Sequence, residues 1–93
     1  MIIPGTQDIK RATRRITGFA HRTPLMHSTA IDAITGAHIY FKCENFQKTG
    51  SFKFRGACNA VEALPEEEAF KGVCTHSSGN FAQALALAAK MRG

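Results

Sequence analysis

Apolar residues recur along the chain in helical stripes separated by short extended runs. Ile9, Ala12, Ile16 and Phe19 follow one another at steps of three and four, with Asp8 in the first turn, where the helix dipole favours a negative charge, and Thr6 placed to cap. This pattern predicts a leading helix of about three to four turns, ending near residues 18–21. Arg22-Thr23-Pro24-Leu25 interrupts it and reads as a connector, because proline biases Thr23 towards extended geometry. His38-Ile39-Tyr40-Phe41-Lys42-Cys43-Glu44 alternates, with Ile39, Phe41 and Cys43 on one face, and predicts a strand. After a turn at Gln47-Lys48-Thr49-Gly50, Ser51 is a candidate cap for a second helix. Its stripe is Phe54, Ala57, Cys58, Val61 and Leu64, and it stops before Pro65.

A short acidic loop, Glu66-Glu67-Glu68, leads to Gly72-Val73-Cys74-Thr75-His76, which is brief, small and apolar and reads as a buried strand. Ser77-Ser78-Gly79-Asn80 then turns the chain into a third helix. Phe81, Ala84, Leu85, Ala88 and Ala89 make its wide apolar face, and Gly93 is a natural stop. The order helix, strand, helix, strand, helix points to an α/β fold with parallel strands and right-handed crossovers. Two strands leave a sheet unfinished. The third helix is apolar nearly all round, so further covering elements, from beyond residue 93 or from another subunit, are expected.

Composition narrows the class. At 93 residues, 44% hydrophobic and 20% charged, the chain has room for one small core. Its net charge of +5 gathers at Lys10, Arg11, Arg14, Arg15 and Arg22. With no aromatic residues interleaved, this reads as the solvated face of a helix, and no nucleic-acid partner is expected. The three cysteines, Cys43, Cys58 and Cys74, form no Cys-x-x-Cys pair and fit reduced thiols in the cytoplasm. No apolar run approaches the ~20 residues that span a bilayer, and only Ile2 and Ile3 precede Pro4, so neither membrane insertion nor a signal peptide is expected. His21, His27, His38 and His76 are scattered singly and suggest no metal site.

Two segments could carry chemistry. Lys53 falls in the first turn of the second helix, where the positive end of the dipole disfavours an ammonium ion and Lys48 and Arg55 add like charge. A lysine so placed is a candidate amine nucleophile; the plain alternative is a solvated surface group. Ser77-Ser78-Gly79-Asn80 falls at the carboxyl end of a predicted strand and the amino end of a helix, where α/β folds place ligands and free backbone N–H groups favour an anion. Gly79 allows close backbone approach, Asn80 both donates and accepts, and the serines offer hydroxyls. The plain alternative is an ordinary turn with a helix cap.

Taken together, Lys48-Thr49-Gly50-Ser51-Phe52-Lys53-Phe54-Arg55-Gly56-Ala57 and Thr75-His76-Ser77-Ser78-Gly79-Asn80 resemble the fold-type-II pyridoxal-phosphate enzymes, and the Phe-Arg-Gly-Ala ending is similar to the serine/threonine dehydratase and serine racemase branch. The resemblance runs from the Arg22-Thr23-Pro24-Leu25 connector to Gly93. It implies that the whole chain, 1–93, is the N-terminal part of a three-layer parallel-sheet enzyme, with a leading helix over 1–21 and strand-helix units over 22–93. It implies that Lys53 holds the cofactor as a Schiff base and moves a proton at the substrate α-carbon. Phe52 would pack against pyridoxal 5'-phosphate, Asn80 would hydrogen-bond its phenolic oxygen, and Ser77, Ser78 and Gly79 would grip the substrate carboxylate. Ser78 would be the acid or base on the opposite face. Phe81 departs from the histidine that many such enzymes carry. Lys48, Thr49 and Gln83 sit where nucleotide-regulated racemases gather effector contacts, although a solvated surface is the plainer reading.

The activity implied is dehydration of L-serine or L-threonine to a 2-oxo acid and ammonia, or serine racemisation, in a homodimer. The family's phosphate-binding glycine-rich loop and pyridine-nitrogen partner lie downstream, so the chain reads as part of a longer protein. The alternative reading is a catalytically incomplete fragment that acts only as an interaction or structural module.

Overall fold

The structure, a computed structural model, describes residues 2–93; Met1, at the head of the leading segment, lies outside them. The molecule is elongated, 54 × 29 × 27 Å. Helix α1 spans Thr6–Ile16, β1 Leu25–His27, α2 Thr29–Thr35 and β2 Tyr40–Lys42. Two 3-10 turns, Glu44–Phe46 and Lys48–Gly50, lead into α3, Lys53–Ala63, then α4, Glu66–Ala69, and α5, Asn80–Arg92.

The stripe predicted on α3 is the core. Phe54, Ala57, Cys58 and Val61 are buried against Ala84 and Ala88 of α5, with Ile16, Phe19, Phe81, Leu85 and Met91 packed around them. Steps of three and four put these side chains on one side of each helix, and the alanines of α5 let the two helices approach closely. Burial pushes the Cys58 thiol pKa up, so this cysteine is a packing group. The N–H of Gly93, at φ 94°, donates to the Ala89 carbonyl.

The helix caps differ from expectation. Gly5, not Thr6, is the N-cap of α1, because the Asp8 carboxylate accepts from the Gly5 N–H at 2.8 Å and closes the first turn one residue earlier. Ser51 does not cap α3. Phe52 already has helical angles and occupies that position, while the Ser51 hydroxyl is turned inside. Glu66-Glu67-Glu68 is not a loop but the start of α4, whose first turn places three acids at the favourable end of the dipole after Pro65.

Helix α2 is an addition to the predicted order. Ser28 caps it through the Ile31 N–H, and Gly36 at φ 69° ends it. It presents no wide apolar stripe, Ile34 being 84% exposed, which is why periodicity alone passed over it. Gly36 turns the chain back, and β2 returns alongside β1 in the opposite direction. The resulting pair is antiparallel, with Leu25 facing Lys42, Met26 facing Phe41 and His27 facing Tyr40. The expected parallel pairing is absent among the described residues, and part of the presumed connector is itself β1. Residues 72–76 are exposed and have no strand beside them, so the expected buried strand does not form among the described residues. A parallel strand needs a neighbour and two covering layers, and the described residues supply neither.

A polar cluster ties the connector after α1 to the start of α3. The Arg55 guanidinium grips Glu44, Nε donating to Oε1 and a terminal nitrogen to Oε2 at 3.0 Å, and also reaches the His21 carbonyl at 3.3 Å. Thr23, which is buried, donates its hydroxyl to the same carboxylate. Gln47, 4% exposed, accepts from the N–H groups of His21 and Lys48 at 2.9 Å and donates to the His21 carbonyl at 2.8 Å. The Lys42 ammonium completes the cluster on the Thr23 carbonyl at 2.7 Å. Arg55 above all, then Thr23 and Gln47, hold the Glu44 carboxyl down to about 2, against the opposing effect of burial.

Phe54→Ala is expected to destabilise the chain by about 3–5 kcal/mol, whereas Phe70→Ala, at a side chain 93% exposed, should change stability by less than about 0.5 kcal/mol. Urea denaturation of the two variants checks both values. Because the folded state depresses the Glu44 pKa below its ordinary 4.5, the pair's contribution is fully present above that value and is lost as pH falls towards 2. The loss amounts to roughly 2 kcal/mol after allowance for partial exposure. Unfolding free energies measured between pH 6 and 2 (assay settings, ~1 unit apart) should fall less steeply in Glu44→Gln than in the unaltered chain.

Candidate active site

Lys53 is the first residue of α3 and Asn80 the first residue of α5. The two helices pack on one core, so the two chemistry-bearing segments begin neighbouring elements. Lys53 is exposed, with its Nζ 5.2 Å from the centroid of the Phe52 ring, itself 61% exposed. Among the described residues the ammonium makes no ion pair and no hydrogen bond. A helix turns about 100° per residue. With Phe54 directed wholly inward and Arg55 held by Glu44, the remaining direction of the first turn, outward, falls to Lys53.

The turn before this lysine is unusual. Thr49 has φ 60°, a left-handed conformation rare outside glycine, and Gly50 follows at φ 76°. Two left-handed residues in succession fold the chain tightly, and they bury the Thr49 and Ser51 hydroxyls without a hydrogen-bond partner among the described residues. Strained backbone and orphaned polar atoms gather at ligand-binding sites more than elsewhere. Lys48 departs from the surface reading as well. It is half-buried, with its Nζ 5.7 Å from the Phe54 ring centroid and 3.9 Å from the Met91 sulfur, so it braces α5 against the turn.

At the other segment, Gly79 is the N-cap of α5, and Ser77 stands two residues before it. The Ser77 Oγ accepts from the Gly79 N–H at 3.4 Å and the Ala82 N–H at 3.3 Å, while its own proton stays available to a further acceptor. Ser78 and Asn80 are exposed, and neither side chain has a partner among the described residues. The space where a side chain at position 79 would stand is open, so an anion has access to the backbone N–H groups at the start of α5. Phe81, where a histidine was the expectation of the resemblance, packs partly into the core.

Sequence reasoning did not identify Glu44, Gln47 or Thr23 as neighbours of the site. Glu44 read as a strand end and Gln47 as a turn residue, and nothing in their spacing announces a shared partner. Only the charge complement between Glu44 and Arg55 hinted at it. The pair also alters the reading of Arg55 as a bare positive charge beside Lys53, because that guanidinium is committed to a carboxylate. A separate cavity of 440 Å³, lined by Val61, Leu64, Phe70, Val73, Ala89 and Arg92, lies against the far ends of α3 and α5 and includes none of these groups. No cluster of metal-binding side chains exists among the described residues, and no helix is long and apolar enough to cross a membrane.

An exposed primary amine beside an open aromatic face, with orphaned hydroxyls in the turn behind it, fits an aldehyde-bearing aromatic cofactor with polar substituents. The comparisons agree. The chain is 57% identical over 86 residues to a serine racemase of Dictyostelium discoideum, a match that covers 92% of this chain and 26% of that protein. It is 50% identical over all 93 residues to a beta-hydroxyaspartate dehydratase of Paracoccus denitrificans, spanning 30% of its length. The solved structure of maize serine racemase superposes with a TM-score of 0.91 at 56% identity, over 94% of this chain and 27% of the other. The chain thus spans between a quarter and a third of these relatives, and it matches their fold-type-II α/β architecture over that part. Residues 16–93 match the family described as pyridoxal-phosphate dependent enzyme, and the chain belongs to that family.

Proposed function

We propose that this chain, over 1–93, is the N-terminal part of a pyridoxal-phosphate lyase or isomerase acting on L-serine or L-threonine, with Lys53 as the residue that holds the cofactor covalently. The observation that carries the reading is the exposed Lys53 amine, free of any protein partner among the described residues, at the start of a helix whose neighbouring positions are fixed. When bound, pyridoxal phosphate supplies an electron sink for charge that develops at the substrate α-carbon. Lys53 would hold the cofactor and, when free, would take the α-proton on its own face. Phe52 would offer its ring for stacking, and Asn80 would donate to the phenolic oxygen. Ser77, whose oxygen accepts from the Gly79 and Ala82 N–H groups, would donate its hydroxyl proton to the substrate carboxylate, alongside Ser78 and the Gly79 backbone.

Ser78 separates the two outcomes within this reading. Delivery of a proton to the opposite face of the α-carbon would give racemisation; loss of the β-hydroxyl as water would give an enamine, whose imine tautomer water hydrolyses to the 2-oxo acid and ammonia. Relatives of both kinds stand at 50% identity or better, which supports a shared site used two ways. The open surface at Leu25, Ile34 and Tyr40, 64, 84 and 62% exposed, supports a place within a larger assembly in which further chain or a second subunit covers β1, α2 and β2. A homodimer is the form expected. The same surface is what would favour an interaction module without catalysis.

Borohydride reduction of the complete protein loaded with pyridoxal phosphate should place the label on Lys53 by peptide mass, and Lys53→Ala should lose both the label and about 10²–10⁴-fold in kcat. Label on another lysine with undiminished turnover would overturn the proposal. Ser78→Ala should cut racemisation by about 10²–10⁴-fold while elimination survives, as followed by chiral chromatography beside 2-oxo acid release.

A further inference from the structure

The placement of Lys53 raises a problem that its own contacts do not solve. Its Nζ stands over the Phe52 ring, with no hydrogen bond or ion pair among the described residues, and the helix it begins has no side-chain cap, since neither Phe52 nor Ser51 supplies one. An uncapped first turn frays readily. Two ties nonetheless hold this one from both sides. Downstream, Arg55 is locked to Glu44 through two nitrogens and touches the His21 carbonyl. Upstream, the buried Gln47 amide bonds both polar groups of the His21 backbone and the Lys48 N–H, where the left-handed turn begins. The residues just before and just after the Thr49–Ser51 bend (49–51) are therefore fastened to one residue of the connector, His21.

We propose that Glu44, Gln47 and Arg55 form a positioning frame for Lys53, which sets where its amine stands at the site described above. The inference rests on the reading of Lys53 as the cofactor-holding residue. Arg55 holds the rotation of the helix about its axis, Phe54 holds its depth in the core, and Gln47 holds the origin of the turn. The frame holds the first turn in place of a side-chain cap. Displacement of a reacting group by about 1 Å can cost on the order of 10²-fold in rate, so a frame of this kind acts on turnover without touching substrate.

Arg92 provides the comparison. It also joins elements, donating to the Val61 carbonyl and to Glu66 at the far end of α3, and so contributes to stability away from Lys53. The experiment uses the complete protein with Glu44→Gln, Gln47→Ala and Arg92→Lys. In the cofactor-free form, amide hydrogen exchange over residues 48–55 is measured. In the loaded form, the rate of borohydride-trapped labelling at Lys53, kcat and KM are measured. Glu44→Gln and Gln47→Ala are expected to raise exchange over 48–55 by about tenfold and to lower labelling rate and kcat by about 10- to 100-fold, with KM within about threefold. Arg92→Lys should leave all of these near the unaltered values even where it lowers the unfolding midpoint.

Unchanged exchange over 48–55, unchanged labelling and kcat, or an equal fall in Arg92→Lys would overturn the frame and leave the cluster a plain stability tie. If the unaltered protein carries its label on a lysine other than Lys53, the proposed function fails; the exchange arm then decides the frame alone, since it needs no cofactor.

Discussion

The two-point grip of Arg55 on Glu44 joins parts of the chain that periodicity alone would leave independent. Glu44 begins the first 3-10 turn after β2, Arg55 lies in the opening turn of α3, and Thr23 and His21 belong to the connector after α1. Bringing the carboxylate out of water is unfavourable by itself, and the arrangement holds because its oxygens are supplied with donors from Arg55 and Thr23. The same supply of donors keeps the carboxyl ionised far below its ordinary range. A geometric paired fork of this sort specifies orientation as well as energy, which a lysine at the same place would not.

Behind this grip stands a small apolar core built from two helices. Phe54 fills it from α3, Ala84 and Ala88 admit it from α5, and Phe19 and Ile16 close it from α1 and the turn beyond. Lys53 precedes the largest fully buried side chain of this core by one residue, and Asn80 begins the helix that receives it. The Lys53 amine is thus attached next to the buried core while it remains exposed. The left-handed Thr49, and the Thr49 and Ser51 hydroxyls without a partner among the described residues, mark the bend that precedes it.

The less settled region is the extension carrying β1, α2 and β2. Its strands are three residues long and exposed on both faces, and an isolated two-stranded pair is marginal in water. The unpaired residues 72–76 have the same character. The proteins that the chain resembles are three to four times as long, at TM-scores up to 0.91.

Local periodicity by itself determined the three main helices and the inward stripe of α3, because each depends on neighbours within four residues. The motifs around Lys53 and 77–80 were legible in the same way, since residue type and order carry them. Only the tertiary structure decided the antiparallel sense of β1 and β2, which follows from the chain reversal at Gly36 rather than from alternation, and the absence of a partner for 72–76. It alone decided that Ser51 caps nothing and that Glu44 and Gln47 stand beside the lysine's helix. The ties of Glu44 and Gln47 require residues 11 to 26 positions apart to meet, and no local pattern encodes which distant polar group will satisfy a buried one.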